Sequence, residues 1–200
     1  MYCIIGNYMT NHIDKILNDI IEREGGFVNH HADKGGPTKY GITIPTLMHY
    51  WAYKYNRSAA PTIEDIKNLT ETEARDIYLA MYIESPAFDV LPSIAMQEAI
   101  IDAGINHGIG TATTFLQCAL NALGEHLTVD GVIGPKTLTA ANKYPSDLIT
   151  TLMLAERAKF YGKILKNQRT QLVFAAGWFN RFGDVLETYA WSSFGKLTKK

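Results

Sequence analysis

The chain has 200 residues, 46% of them hydrophobic and 20% charged, enough to bury a core without help from a metal or a disulfide. Its 19 basic and 20 acidic residues leave a formal net charge of -1, which excludes a broad electrostatic surface for nucleic acid. No stretch approaches the roughly 18 consecutive apolar residues of a membrane span, and no repeat, low-complexity tract or long linker interrupts the sequence.

The opening residues, Met1 to Tyr8, are too short and lack the basic start of a secretory signal. A soluble protein, made in the cytoplasm of the producing or host cell and without stable membrane insertion, is therefore expected. The first predicted helix carries Ile13, Ile16, Leu17, Ile20 and Ile21 at three- and four-residue steps, with Asn11 as its cap and Asp14 in the first turn. Glu24 follows Ile20 by four residues and leans toward the same apolar face. An apolar setting favours the protonated form of a carboxyl group, which is the form a general acid needs. Gly25-Gly26 then ends the helix and lets main chain approach a ligand closely.

Residues 27–44 mix Phe27, Val28, Tyr40, Ile42 and Ile44 with Gly, Asp, Asn and His, and read as a small irregular hairpin beside that helix. If the hairpin folds back over the helix end, Asp33 or Thr38 faces Glu24 across a cleft and can hold a water. Such a pairing is what hydrolysis of a glycosidic bond needs. The alternative makes Asp33 a turn cap and Thr38 the start of a strand. Asn29 and Tyr40 are candidate substrate contacts or braces of the hairpin. His30-His31 lacks Cys partners and a further His at ligand spacing, and Cys3 and Cys118 read as free thiols, so no metal or cofactor is expected.

Helices follow. Leu47, Met48 and Trp51 predict a short one after Pro45, and Thr70 with Glu73 forms a capping-box signal for another running to about Tyr82, with Ala74, Ile77, Tyr78 and Met81 on its apolar face. Tyr78 and Tyr82 are either sugar-stacking platforms or core residues whose hydroxyls find partners. In the next helix, about 93–106, Ile94, Ile101 and Ile105 mark the apolar side, while Glu98, Asp102 and Asn106 form a polar ridge. That ridge lines a sugar cleft, forms an outer face, or makes a satisfied network fixing the helix to the hairpin; Asp102 and Asn106 are its candidate substrate contacts, and His107 reads as structural.

A helix over 109–123 packs through Phe115, Leu116, Ala119 and Leu120. Asp130-Gly131-Val132-Ile133-Gly134-Pro135 makes a turn before a short helix from about Thr137. A long helix from about 147 to 166 has Leu148, Leu152, Ala155, Phe160 and Ile164 on its buried side, and Trp178 and Phe182 share a face of a later one. The tail after Glu187 is a docked final turn or an exposed contact segment.

The motifs Glu24-Gly-Gly-Phe-Val-Asn29, Asp33-Lys-Gly-Gly-Pro-Thr38 and Tyr40-Gly-Ile-Thr43 resemble the signature of the glycoside hydrolase family 108 N-acetylmuramidases of phage endolysins and related bacterial wall-degrading proteins. The similarity continues through Ala74-Arg-Asp-Ile-Tyr78, Asp102-Ala-Gly-Ile-Asn-His-Gly108 and Asp130-Gly-Val-Ile-Gly-Pro-Lys-Thr137. The resemblance implies a mainly α, lysozyme-like α+β fold, a helical bundle with a small β-hairpin beside the catalytic helix. It implies a single compact unit over 1–200, its catalytic part at 10–90 and a helical part at 91–200 suited to peptidoglycan. Glu24 takes the place of the family's catalytic acid. The Glu, Asp, Thr arrangement of phage-type lysozymes makes Asp33 and Thr38 candidate partners, although Thr38 falls one position early and His30-His31 replaces a frequent Asp-Pro. The implied activity is hydrolysis of the β-1,4 bond between N-acetylmuramic acid and N-acetylglucosamine by a monomer, reaching the wall with a separate holin or export system. A lytic transglycosylase and a noncatalytic wall-binding protein are the alternatives on the same scaffold.

Overall fold

The computed structural model describes residues 13–22, 24–28 and 36–194. Asn11, Asn29, His30, His31, Asp33 and Cys3 lie outside the described residues. The chain divides into two compact units, Met1–Ser85 and Pro86–Lys200.

In the N-terminal unit the first helix, α1 (residues 13–22), buries Leu17, Ile20 and Ile21, the stripe its periodicity predicts. Asp14 and Asn18 on its outer side both accept from the Arg75 guanidinium. The hairpin is shorter than the sequence suggests. β1 (Thr38–Lys39) pairs antiparallel with β2 (Ile42–Thr43), Thr38 opposite Thr43 and Lys39 opposite Ile42. Val28 adds one bridge to Thr38, through hydrogen bonds of 2.8 and 2.9 Å. The connecting residues Tyr40 and Gly41 have φ of 52° and 72°, the two positive values that a two-residue hairpin turn matched to strand twist requires.

α2 (Ile44–Tyr55) starts on a Thr43 side-chain cap and stops at Asn56 in the left-handed region. α3 (Ile63–Asn68) escaped the sequence reading although Thr62 and Asp65 form a complete capping box. It is only six residues long, with a single buried side chain, Ile66, so there is little periodicity to detect. α4 (Glu71–Leu79) begins with the predicted Thr70–Glu73 box. It then widens into one π-helical turn, Ala80–Glu84, whose last bond runs from Ser85 N to Ala80 O at 3.0 Å; Pro86 follows.

The C-terminal unit is all helix among its described elements. α5 (Ile94–His107) is buried nearly all round, with Met96, Ile100 and Ile101 fully enclosed. It packs on α6 (Ile109–Ala122), whose Phe115, Leu116, Ala119 and Leu120 face the core as predicted. α7 (Pro135–Ala141) follows the Asp130 turn, and α8 (Ser146–Asn167) packs on both α5 and α6. The buried stripe of α8 is Ile149, Met153, Leu154, Arg157 and Tyr161, one residue round from the predicted side. Leu148 is exposed, and an arginine occupies the core-facing line. A 3-10 segment (Arg169–Phe174) leads into α9 (Ala175–Phe194), where Trp178 and Phe182 both meet the Tyr161 ring. After Glu187 this helix continues to Phe194, docked by the buried Tyr189, whose hydroxyl donates to Asp147 O at 2.8 Å.

Candidate active site

The turn of the hairpin, and not its strands, meets the carboxylate at the end of α1. Gly25 N donates to Ile21 O at 3.2 Å at the helix end, and its own carbonyl accepts from Tyr40 N at 3.0 Å. This bond draws the Tyr40-Gly41 turn over the helix terminus. A methyl group on Gly41 would stand 3.0 Å from Glu24 Oε2, 3.1 Å from Glu24 Cγ and 2.6 Å from the Tyr78 hydroxyl oxygen. Gly41 is thus the floor beneath the Glu24 carboxylate for two reasons at once: its positive φ and its lack of a side chain.

Glu24 lies on the side of α1 that Ile20 occupies, but beyond the end of the core, where it is exposed. Its sequence spacing leans it toward the apolar face, but the apolar surrounding expected there is not what the exposed residue has. Of the two readings of Tyr78, the core residue holds and the sugar-stacking platform does not. Its ring is only 4% exposed, so it cannot stack on a sugar, and its hydroxyl donates to Tyr40 O at 2.9 Å. It braces the turn from α4. Tyr82 is half-buried, its ring centre 5.4 Å from that of Tyr78. Thr38 sits in β1 with its backbone paired to Val28, and Lys39 anchors the same strand by donating to Lys67 O at 2.7 Å. The Lys39 ammonium lies 5.6 Å from the Tyr40 ring centre and that of Lys67 lies 5.9 Å from that of Phe27.

Asp102 and Asn106 belong to the other unit, where the polar ridge of α5 joins a network of ion pairs with α8 and α9, not with the hairpin. Asp102 Oδ2 pairs with Arg157 at 2.7 Å, and its Oδ1 meets Arg181 at 2.9 and 3.0 Å. Asn106 donates to the Asp102 carbonyl and carboxylate. The network ties α5 to α8 and α9. Arg157, 1% exposed, also donates to His107 Nε2 at 3.3 Å, and the Tyr161 hydroxyl lies 3.1 Å from the same nitrogen. Burial, aided by the Arg157 charge, holds His107 down at about 4, so its ring is neutral near pH 7. Sequence reasoning missed Arg157 because nothing in a helical pattern marks an arginine as internal.

The Asp130 turn is likewise explained within its unit. The buried Gln117 donates to Asp130 Oδ1 at 2.7 Å and Val132 O at 3.0 Å, and accepts from Gly131 N at 3.0 Å. Cys118 is a free thiol whose ionisation burial opposes. Among the described residues no cluster of His, Cys, Asp or Glu is arranged to hold a metal ion, and no helix is long and apolar enough to cross a membrane.

A family model described as Glycosyl hydrolase 108 matches residues 17–108, and one described as Predicted Peptidoglycan domain matches residues 111–183. The first match runs past the structural boundary at Ser85 and takes in α5, which packs with α6, α8 and α9. Among solved structures, one titled "Structure of Brucella abortus SagA" superposes with a TM-score of 0.72 at 31% identity, over 94% of this chain and 98% of that one. No curated protein matches the chain.

Proposed function

This chain belongs to the glycosyl hydrolase 108 family, a hydrolase of peptidoglycan with a lysozyme-like fold, and from that premise we propose that it cleaves the β-1,4 bond between N-acetylmuramic acid and N-acetylglucosamine with Glu24 as general acid. The observation that carries the reading is the seat of Glu24: a carboxylate at a helix end, exposed to solvent, held over a glycine floor by a turn that a buried tyrosine braces. A group that must reach a polymer needs that access. Glu24 protonates the glycosidic oxygen as the C–O bond breaks and the anomeric carbon gains oxocarbenium character; water then attacks that carbon. Asp33 orients the water or stabilises the developing positive charge, and Thr38 helps position it. Asn29, Tyr40 and Tyr82 supply sugar contacts, and Lys39 and Lys67 add local positive charge opposite an anionic wall despite the nearly neutral chain. The C-terminal unit holds the wall, and the enzyme acts as a monomeric endolysin.

The test is product analysis on purified sacculi. Wild-type protein should release muropeptides with reducing muramic acid ends. Glu24→Gln should fold and sediment with sacculi yet lose about a hundredfold or more in turnover. Anhydro-muramic ends would instead mark a lytic transglycosylase, and sedimentation without release a wall-binding protein. Full turnover by folded Glu24→Gln would remove Glu24 from the chemistry.

A further inference from the structure

The N-terminal unit contains a cavity of about 160 Å³ lined from α2, α3 and α4. Its floor is apolar, made by Leu47, Leu69 and Ile77, all of them buried. Its walls are aromatic. Tyr50 and Tyr55 meet edge to face with ring centres 5.8 Å apart, and Trp51 stands beside them on α2. The remaining lining includes two carboxylates, Asp65 and Glu73. The geometry points to a binding site for a primary alkylammonium group, with the alkyl chain on the apolar floor and the ammonium between the aromatic wall and the two carboxylates.

Three observations converge on this ligand class. First, the two acids are preorganised. Each is the N3 residue of a capping box, and each box uses one oxygen: Asp65 Oδ2 takes both Thr62 N at 2.7 Å and Thr62 Oγ1 at 2.6 Å, and Glu73 Oε2 takes Thr70 N and Thr70 Oγ1 at 2.8 Å. The second oxygen of each carboxylate takes no part in the cap. Helix starts thus fix two anionic acceptors that would otherwise wander in solvent, so little rotamer freedom is lost when a donor arrives.

Second, this face already holds a cation. The Arg57 guanidinium carbon lies 3.7 Å from the Trp51 ring centre, and the charge of Arg57 contributes to holding the Asp65 carboxyl below its usual range, after the bonds from Thr62. The indole and the carboxylate therefore favour positive charge in the folded chain itself. One guanidinium does not balance Asp65 and Glu73 together. Third, Tyr50 is driven upward in its ionisation first by burial, then by Tyr55, and further by the negative charges of Asp76 and Glu73, so its hydroxyl stays neutral and the potential around it is negative. Two carboxylates disfavour an anion, and a neutral apolar ligand leaves them unused.

A volume of about 150 Å³ admits a benzene-sized molecule, so a short alkyl chain with one terminal amine fits the apolar floor. Two sources present that chemistry: the free side-chain amine of a wall peptide, which rests on the muramidase reading above, and a soluble aliphatic amine, which does not. α4 would couple the site to catalysis in the first case, since it carries Glu73 and Ile77 on the cavity and Tyr78 under the active-site turn.

The experiment is a calorimetric and NMR titration of the full chain with n-butylammonium, 1-butanol and cadaverine, and with disaccharide-peptides whose side-chain amine is free or N-acetylated. We expect millimolar binding of n-butylammonium and at least about tenfold weaker binding of the isosteric alcohol. The double substitution Asp65→Asn with Glu73→Gln keeps an amide oxygen for each cap and should weaken n-butylammonium by about tenfold while the protein still unfolds in one cooperative thermal transition, at a somewhat lower midpoint. Binding of the free-amine peptide but not its acetylated form assigns the site to the wall; binding of n-butylammonium and cadaverine alone assigns it to soluble amines, and either supports the site. Glu24→Gln should leave the titration unaltered, so loss of the catalytic assignment and loss of this site are read separately. Equal binding of alcohol and ammonium, indifference to the double substitution, or no binding at all would overturn the proposal.

Discussion

Gly41→Ala tests the architecture of the active site at its least expendable atom, an absent one. The new methyl would be forced into the left-handed region at φ of 72°, at a cost of about 1 kcal/mol. It would also stand 2.6 Å from the Tyr78 hydroxyl oxygen, so the ring must move and its bond to Tyr40 O lengthens or breaks, removing about 1 kcal/mol more. The expected loss of stability is about 2 kcal/mol in urea unfolding. Activity should suffer more. The methyl is 3.0 Å from Glu24 Oε2 and 3.1 Å from its Cγ, a crowding that is relieved only by swinging the carboxylate away. A displacement on the order of 1 Å at a proton donor lowers turnover by about a hundredfold.

The double variant Gly41→Ala with Tyr78→Phe separates the two effects. Removing the hydroxyl removes the shortest contact, so part of the stability returns relative to the sum of the single changes. The Glu24 contacts persist, so turnover does not return. Both are read from one set of purified proteins by urea unfolding and by release of muropeptides from sacculi. Wild-type turnover in folded Gly41→Ala would refute the claim that the turn positions the Glu24 carboxylate. Strict additivity of the two changes would refute the claimed contact with Tyr78.

Two further predictions concern the C-terminal unit. Asp102→Asn leaves the Arg157 guanidinium, 1% exposed, without its 2.7 Å counter-charge and should destabilise the chain by about 3 kcal/mol in urea unfolding. The apolar pair Asp102→Leu with Arg157→Met should recover much of that loss; wild-type stability for the single variant would show the pair to be dispensable. His107 makes stability depend on pH. Burial, then the Arg157 charge, lowers it from 6.5 to about 4, so between those values the unfolded chain binds more protons than the folded one and stability rises with pH. Its contribution is complete above about 6.5 and disappears as pH falls through about 4. Because the ring is only half-buried, solvent screening reduces the effect to about 1 kcal/mol. Thermal unfolding of His107→Gln should show a shallower slope across this window, and an unchanged slope would contradict the buried neutral ring.

Much of the fold was readable locally. The Thr70–Glu73 cap, the glycine pair that ends α1, the Ile and Leu stripe before it and the packing face of α6 all depend on residues three or four apart, and in each the structure agrees with the pattern. The Glu24 motif was legible too, but only as a juxtaposition of types. That the Tyr40-Gly41 turn covers Glu24, and that Gly41 must lack a side chain there, follows from a hydrogen bond between residues fifteen positions apart and a tyrosine from α4.

Tertiary contacts decided the rest against local preference. Arg157 faces the core of α8 because Asp102, His107 and two aromatic rings surround its charge, and that single placement turns the helix by one residue. Tyr78 is a brace and not a platform because α4 happens to present it to a backbone carbonyl. Sequence alone determined the capped start of α4, the apolar faces of α1 and α6 and which chemistry is available, since these are short-range properties of the chain. Which polar groups are enclosed, and against what, was decided only on folding, because the cost of enclosing a charge depends on partners that lie far off in the sequence.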